Sequence, residues 1–252
     1  MLAVIGGSGL AGLGRMNVVR RQIVRTPYGD PSGPLVVGEI GGAPVLFLPR
    51  HGPGHVLAPH RVNYRANIWA LRESGATDIV AVAAVGGMAQ NVGPGVIAVP
   101  EQIIDYTYGR EHTYCDGSDR KVTHVDFTRP YSDELRDQVL AAAGASAVAV
   151  VASGVYAATQ GPRLETAAEI ARMQRDGATL VGMTGMPEAA LARELSLRYA
   201  HLCAVSNWAA GCGDSMRAIS HANIDATLDL AIGRVQQIIE QLAVAYHGRS
   251  SG

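Results

Sequence analysis

An α/β fold is what this sequence predicts, on two observations. Short apolar runs that end in glycine recur along the chain, and stretches with helical spacing lie between them. Ala3 to Ile5 leads into GGSG, Val45 to Leu48 into PRHG, Ile79 to Val85 into GG, and Val148 to Val151 into ASG. Continuously apolar, these runs read as strands buried on both faces. The segment MNVVRRQIVRTPYG after the first run reads as strand and turn, and Leu202 to Val205 reads as a late strand delivering Ser206 and Asn207 at its end. Helices are predicted over Val62 to Glu73, Asp133 to Ala143, Thr166 to Gln174 and Glu188 to Leu195, the last with Pro187 at its start, a position that needs no N–H. The final stretch, Ala222 to Ala245, is the clearest. Its Ile224, Leu228, Ile232, Val235, Ile239 and Leu242 follow three- and four-residue steps with charges between them, so this stripe should pack along one face of the sheet.

No linker or repeat divides the 252 residues, so a single domain is expected over residues 1–246, followed by a flexible tail over 247–252. Hydrophobic residues make up 48% and charged residues 17%, as in a soluble globular protein, and 21 basic against 22 acidic residues leave a charge of -1. With no long run of either sign, nothing advertises a nucleic-acid or membrane surface, and a small-molecule partner is expected. Cys115, Cys203 and Cys212 are an odd number without CxxC spacing, and MLAVIGGSGL lacks the basic start and long apolar core of a signal peptide; both point to the cytoplasm. No window reaches the roughly 20 apolar residues of a membrane span. The polar, aromatic segment Ile103 to Tyr131 is long for a connection and reads as a functional or intersubunit loop.

Several positions carry chemistry. Gly6-Gly7-Ser8-Gly9 follows a strand, where small residues let backbone N–H groups approach an anion and Ser8 adds a hydroxyl; a plain tight turn is the alternative. Gly7 to Gly12 formally matches a dinucleotide motif, but the strand-like segment that follows is not the crossover helix that motif needs. Arg50 and His51 beside Gly52 form a second anion candidate. His51, His55 and His60 as metal ligands would need one face, which their Pro- and Gly-broken loop does not supply, so no metal is expected. Glu165 lies in a turn into a helix that also holds Glu169, and reads either as a ligand or as a first-turn acid. Thr184 offers a hydroxyl and Met183 an adaptable apolar contact, or they are a loop threonine and a core methionine. Asn207 sits where open α/β sheets gather ligand groups, with a turn role as the alternative.

GGSGL, RHG, NYRANIWAL, AVGG, GPRLET and VGMTGMPEAALARE, in this order, resemble the trimeric purine nucleoside phosphorylase and methylthioadenosine phosphorylase family over nearly the whole chain. The resemblance implies a nucleoside phosphorylase fold with a central mixed, partly barrel-like sheet flanked by helices. It implies a homotrimer that uses inorganic phosphate as co-substrate and needs no cofactor. Ser8, Arg50, His51 and Thr184, with the backbone N–H of Ala84, match the phosphate positions, and Met183 and Tyr64 fall near the pentose. Two departures stand out: Ala83 and Ala84 replace a polar side chain before VGG, and Leu164 replaces the aromatic residue that stacks on the base.

The expected reaction is attack of phosphate on the sugar C1′, with Asn207, Glu165 and His51 as candidate catalytic residues and Ser206 beside Asn207. A carboxylate accepts and an amide donates, so Glu165 suits the N1–H of a 6-oxopurine while Asn207 serves its O6 or N7. Ordinary purine nucleoside phosphorylases place a histidine on the 5′-hydroxyl near Ile224, with Leu228 one turn later; the apolar pair here favours a methylthio group, hence S-methyl-5′-thioinosine. A general inosine and guanosine phosphorylase and a methylthioadenosine phosphorylase are the alternatives within the family. His124 falls near the position that reaches across a subunit interface toward the 5′ end in methylthioadenosine phosphorylases.

Overall fold

The computed structural model describes residues 1–10, 12–115, 117, 122–216 and 221–250, with the side chains of 221–225, 247, 249 and 250 left out. Among them, eleven strands form one mixed sheet. Its pivot is β5 (Asp78–Gly87), the run DIVAVAAVGG predicted to be buried on both faces. β1 (Leu2–Gly6) lies parallel to the first half of β5, and β4 (Ala43–Pro49) lies parallel to β1. β3 (Leu35–Ile40) and β2 (Asn17–Gln22) add an antiparallel edge, so the segment after the glycine turn is a strand, as expected. No helix opens between β1 and β2 among the described residues, which removes the dinucleotide reading.

On its other side β5 carries β11 (Arg198–Trp208), parallel along its length, and at its glycine end it pairs with antiparallel β10 (Leu180–Gly182). β10 pairs with β9 (Val155–Ala158), and β9 with β7 (Gln102–Asp105). β11 pairs with β6 (Ile97–Ala98), which pairs with β8 (Val150–Val151). Backbone bonds from Val99 to Val151 and from Glu101 to Gly154 carry the β6–β8 ladder on toward β7 and β9. The pairings therefore close a circuit through β5, β10, β9 with β8, β6 and β11, which is the partly barrel-like element of a mixed sheet. The predicted run Val148 to Val151 forms a strand only in its second half, because the Val148 N–H bonds back to Ala143 and closes the preceding helix.

Period-two alternation splits each buried strand between two cores. Ala3 and Ile5 face one, with Ile68 and Leu71 of α1 (Tyr64–Glu73) and Leu191 of α4 (Gly185–Glu194). Leu2 and Val4 face the other, with Leu135 and Val139 of α2 (Asp133–Ala145) and the stripe Leu228, Ile232, Val235, Ile239 and Leu242 of α5 (His221–Ser250). Ile170 and Met173 of α3 (Ala167–Arg175) cover a smaller cluster with Val181. The helix α5 continues to Ser250, so helix runs into the segment 247–252 expected as a tail, and 251–252 lie outside the described residues. Among the described residues no helix is long and apolar enough to cross a membrane.

Candidate active site

Because β1, β4, β5 and β11 run parallel, their C-terminal ends open on one side, where ligands collect in α/β sheets. A cavity of about 570 Å³ lies there, lined by residues that follow or end each strand: Ser8 after β1, Arg50 and His51 after β4, Ala83 and Ala84 within β5, Met183 and Thr184 after β10, and Ser206 and Asn207 of β11. Leu164, Glu165 and Leu228 complete its wall.

One end is built around Arg50, which is wholly buried. Its Nε and Nη2 donate to the two carboxylate oxygens of Glu188 at 2.5 and 2.9 Å, and Nη1 donates to the Val82 carbonyl at 2.8 Å. Glu188, also wholly buried, accepts as well from the Tyr199 hydroxyl at 2.9 Å. Burial alone would lower the guanidinium pKa, but the charge and hydrogen bonds of Glu188 outweigh it and hold it above its ordinary value. The fork still has N–H groups to offer beyond these contacts. A glycine at position 7 makes the approach possible, since a Cβ there would lie 2.7 Å from the Val82 oxygen and 2.8 Å from Arg50 Nη1.

The His51 ring Nδ1 lies 2.8 Å from the Leu57 carbonyl, which can only accept; Nδ1 therefore carries the hydrogen and Nε2 presents a lone pair. Burial, followed by the Arg50 charge, lowers its pKa to about 4. The His55 ring packs against it with centroids 4.4 Å apart, and among the described residues no three His, Cys, Asp or Glu side chains gather as a metal site. Thr184 stands at the N-cap of α4 yet makes no capping bond. Its buried Oγ1 has no partner within the chain among the described residues, so the hydroxyl is free for a ligand.

The other end holds Glu165 and Asn207. Thr166, not Glu165, is the N-cap of α3, and a capping box pairs it with Glu169. Glu165 therefore precedes the helix, and the first-turn acid is Glu169. A register shift between Val205 and Asn207 marks a bulge in β11, which lets the consecutive side chains of Ser206 and Asn207 both reach the cavity wall. The Ser206 hydroxyl lies 2.8 Å from Asn207 Oδ1, and Asn207 Nδ2 donates to the Trp208 carbonyl at 2.7 Å. This fixes the amide orientation with one Nδ2 hydrogen left over.

Not every expected residue is here. Tyr64 does not itself line the cavity: its buried hydroxyl donates to the carbonyl of Pro59, a lining residue, at 2.8 Å and accepts from Arg110 Nη1 at 3.2 Å. His124 is exposed in its loop and does not line the cavity of this chain. The side chain of Ile224 lies outside the described residues. The sequence reading missed Glu188, although it stands in VGMTGMPE; the available signal was that a buried arginine requires a carboxylate. It also missed Arg110, which donates to the carbonyls of Thr159, Gln160, Met183 and Met186 and ties the long loop to both ends of the site.

A family model described as the phosphorylase superfamily matches residues 1–243. A protein of Xanthomonas campestris pv. campestris, named probable S-methyl-5′-thioinosine phosphorylase, is 55% identical over 96% of each chain. The 6-oxopurine nucleoside phosphorylase of Pyrococcus furiosus is 44% identical over 88% of this chain and 84% of its own. A methylthioadenosine phosphorylase from Schistosoma mansoni, solved in complex with adenine, superposes with a TM-score of 0.92 at 30% identity, over 98% of this chain and 92% of that one.

Proposed function

This chain belongs to the phosphorylase superfamily, and on that premise we propose that it cleaves S-methyl-5′-thioinosine with inorganic phosphate to hypoxanthine and 5-methylthioribose 1-phosphate. One observation carries the reading: a single cavity has an anion cradle at one end and, at the other, a carboxylate acceptor beside an oriented amide donor. Ser8, the free Thr184 hydroxyl, the Ala84 backbone N–H and the remaining Arg50 N–H groups hold phosphate. His51 Nε2 accepts a hydrogen bond from hydrogen phosphate, which keeps its proton on the phosphate. A phosphate oxygen attacks C1′ as the C1′–N9 bond breaks, the electron pair leaves with the purine, and the purine takes a proton from solvent. The phosphate charge stabilises the cationic sugar in between, with no covalent enzyme intermediate. Asn207 Nδ2 donates to N7 or O6 as charge develops, and Glu165 accepts from N1–H. Adenine presents a lone pair at N1, and a site with mismatched polar groups discriminates by up to about 10⁴-fold.

At the sugar end, Met183 and the buried Leu228 supply apolar wall. A 5′-hydroxyl buried there without a partner would cost about 1–3 kcal/mol, whereas a methylthio group gains about 0.8 kcal/mol per CH₂-sized unit. Ile224 belongs to the same helix, with its side chain outside the described residues. The assembly we propose is a homotrimer in the cytoplasm, with the loop holding His124 reaching a neighbouring subunit. Purified protein tests the reaction with S-methyl-5′-thioinosine, inosine and methylthioadenosine, each with and without phosphate. Phosphate-dependent release of hypoxanthine, fastest per unit KM from the methylthio substrate, is expected. Equal kcat/KM for inosine would leave a general 6-oxopurine phosphorylase, and equal turnover of the adenine nucleoside would overturn the base assignment.

A further inference from the structure

The carboxylate assigned to the base has a holder outside the cavity wall. Thr159 directly follows β9. Its N–H donates to the Gly182 carbonyl at 2.8 Å and its carbonyl accepts from Arg110 Nη2 at 3.1 Å, so its backbone is tied to β10 on one side and to the long loop on the other. The side chain is buried, and its Oγ1 donates to Glu165 Oε1 at 2.6 Å. The competing acceptor, the Gly182 carbonyl, lies at 3.3 Å, and a hydroxyl has one hydrogen, which goes to the shorter contact with the carboxylate. Among the described residues this is the only hydrogen bond made by the Glu165 carboxylate, which otherwise stands half-buried on a loop ahead of α3.

We propose that Thr159 is a positioning residue for base specificity. By occupying Oε1 it fixes the Glu165 side chain, which would otherwise lose rotamer freedom on binding, and leaves Oε2 as the acceptor offered to the base. It does not line the cavity and acts only through Glu165. The inference rests on the 6-oxopurine reading above, and it adds that discrimination between 6-oxo and 6-amino bases depends on a hydroxyl that never touches the substrate.

Thr159→Val keeps the shape and removes the donor, Thr159→Ser keeps the donor, and Thr159→Cys supplies a weaker one. For each, kcat and KM are measured with inosine-type and adenosine-type nucleosides carrying the same 5′ group, together with KM for phosphate and the melting temperature. The loss of one charge-assisted bond predicts that Thr159→Val lowers kcat/KM for the 6-oxo nucleoside about tenfold, through the nucleoside KM. The 6-amino nucleoside and phosphate KM should not change, Thr159→Ser should restore the ratio, and Thr159→Cys should fall between. An equal fall for both bases, or a rise in phosphate KM to match, would show a merely structural role and overturn the proposal. An unaltered protein that prefers 6-oxo nucleosides, with Val and Cys variants of unchanged ratio, would overturn it while leaving the base reading standing. No preference in the unaltered protein would instead sink the base reading, and this proposal with it.

Discussion

The Arg50–Glu188 pair buries two charges completely, and its net worth is set by what happens when one partner goes. Removing Glu188 leaves a guanidinium with no countercharge in the core, at a cost of about 3–5 kcal/mol. Glu188→Ala should lower stability by that order in urea denaturation, and Glu188→Gln, which keeps two polar atoms, should lose less while raising KM for phosphate. Tyr199→Phe removes one hydrogen bond to the same carboxylate and should cost about 1 kcal/mol. The buried histidines make a separate prediction. Burial, then the Arg50 charge, lowers His51 from its ordinary 6.5 to about 4. Burial likewise holds His201 well below that value. In the unfolded chain both bind a proton near 6.5, so more protons are bound unfolded than folded below that pH. Stability is then full above pH 6.5 and lost on acidification, for His51 across the window from 6.5 to about 4, at up to about 1.4 kcal/mol per pH unit for each ring. His51→Asn should flatten the dependence in urea titrations between about pH 7 and 5; parallel slopes for variant and parent would contradict it.

Helix starts here differ in whether the cap is made. α3 begins with a full capping box, Thr166 and Glu169 satisfying each other's backbone N–H groups, and Arg163 pairs with Glu169 at 2.7 Å. Thr166→Ala should cost about 1 kcal/mol. Because Glu165 is the next residue outward, fraying should also raise KM for the nucleoside and not for phosphate, which steady-state kinetics would show. α4 begins the other way, with a threonine at the N-cap that leaves the cap unmade and its hydroxyl free. Thr184→Val should therefore leave the melting temperature nearly unchanged and raise KM for phosphate; a large drop in melting temperature would assign Thr184 to the fold instead. The bulge at Ser206 follows the same logic in a strand: an unbroken β11 would turn either Ser206 or Asn207 to the opposite face.

At the scale of the molecule, the parallel run of β4, β1, β5 and β11 gathers their ends around one cavity, while α1 and α4 cover one face of the sheet and α2 and α5 the other. The proposed trimer is checked by sedimentation, with three times the 26.4 kDa chain mass expected, and a fully active monomer at low concentration would refute it. Local pattern determined much of this: continuous apolar runs specify doubly buried strands, the 3.6-residue stripe specifies α5, and small residues at strand ends mark where ligands approach. The glycine, arginine and asparagine that line the cavity were legible as candidates for that reason, each following a recognisable run. Tertiary structure alone decided which side chains meet. Glu188 reaches Arg50 across 138 positions of chain, Arg110 crosses from the long loop to four carbonyls, and the Tyr64 hydroxyl is taken up by the Pro59 carbonyl behind the cavity lining. Sequence spacing encodes faces of elements, whereas partners of buried charges and hydroxyls are set by how the elements pack, since each must find a hydrogen bond once water is excluded.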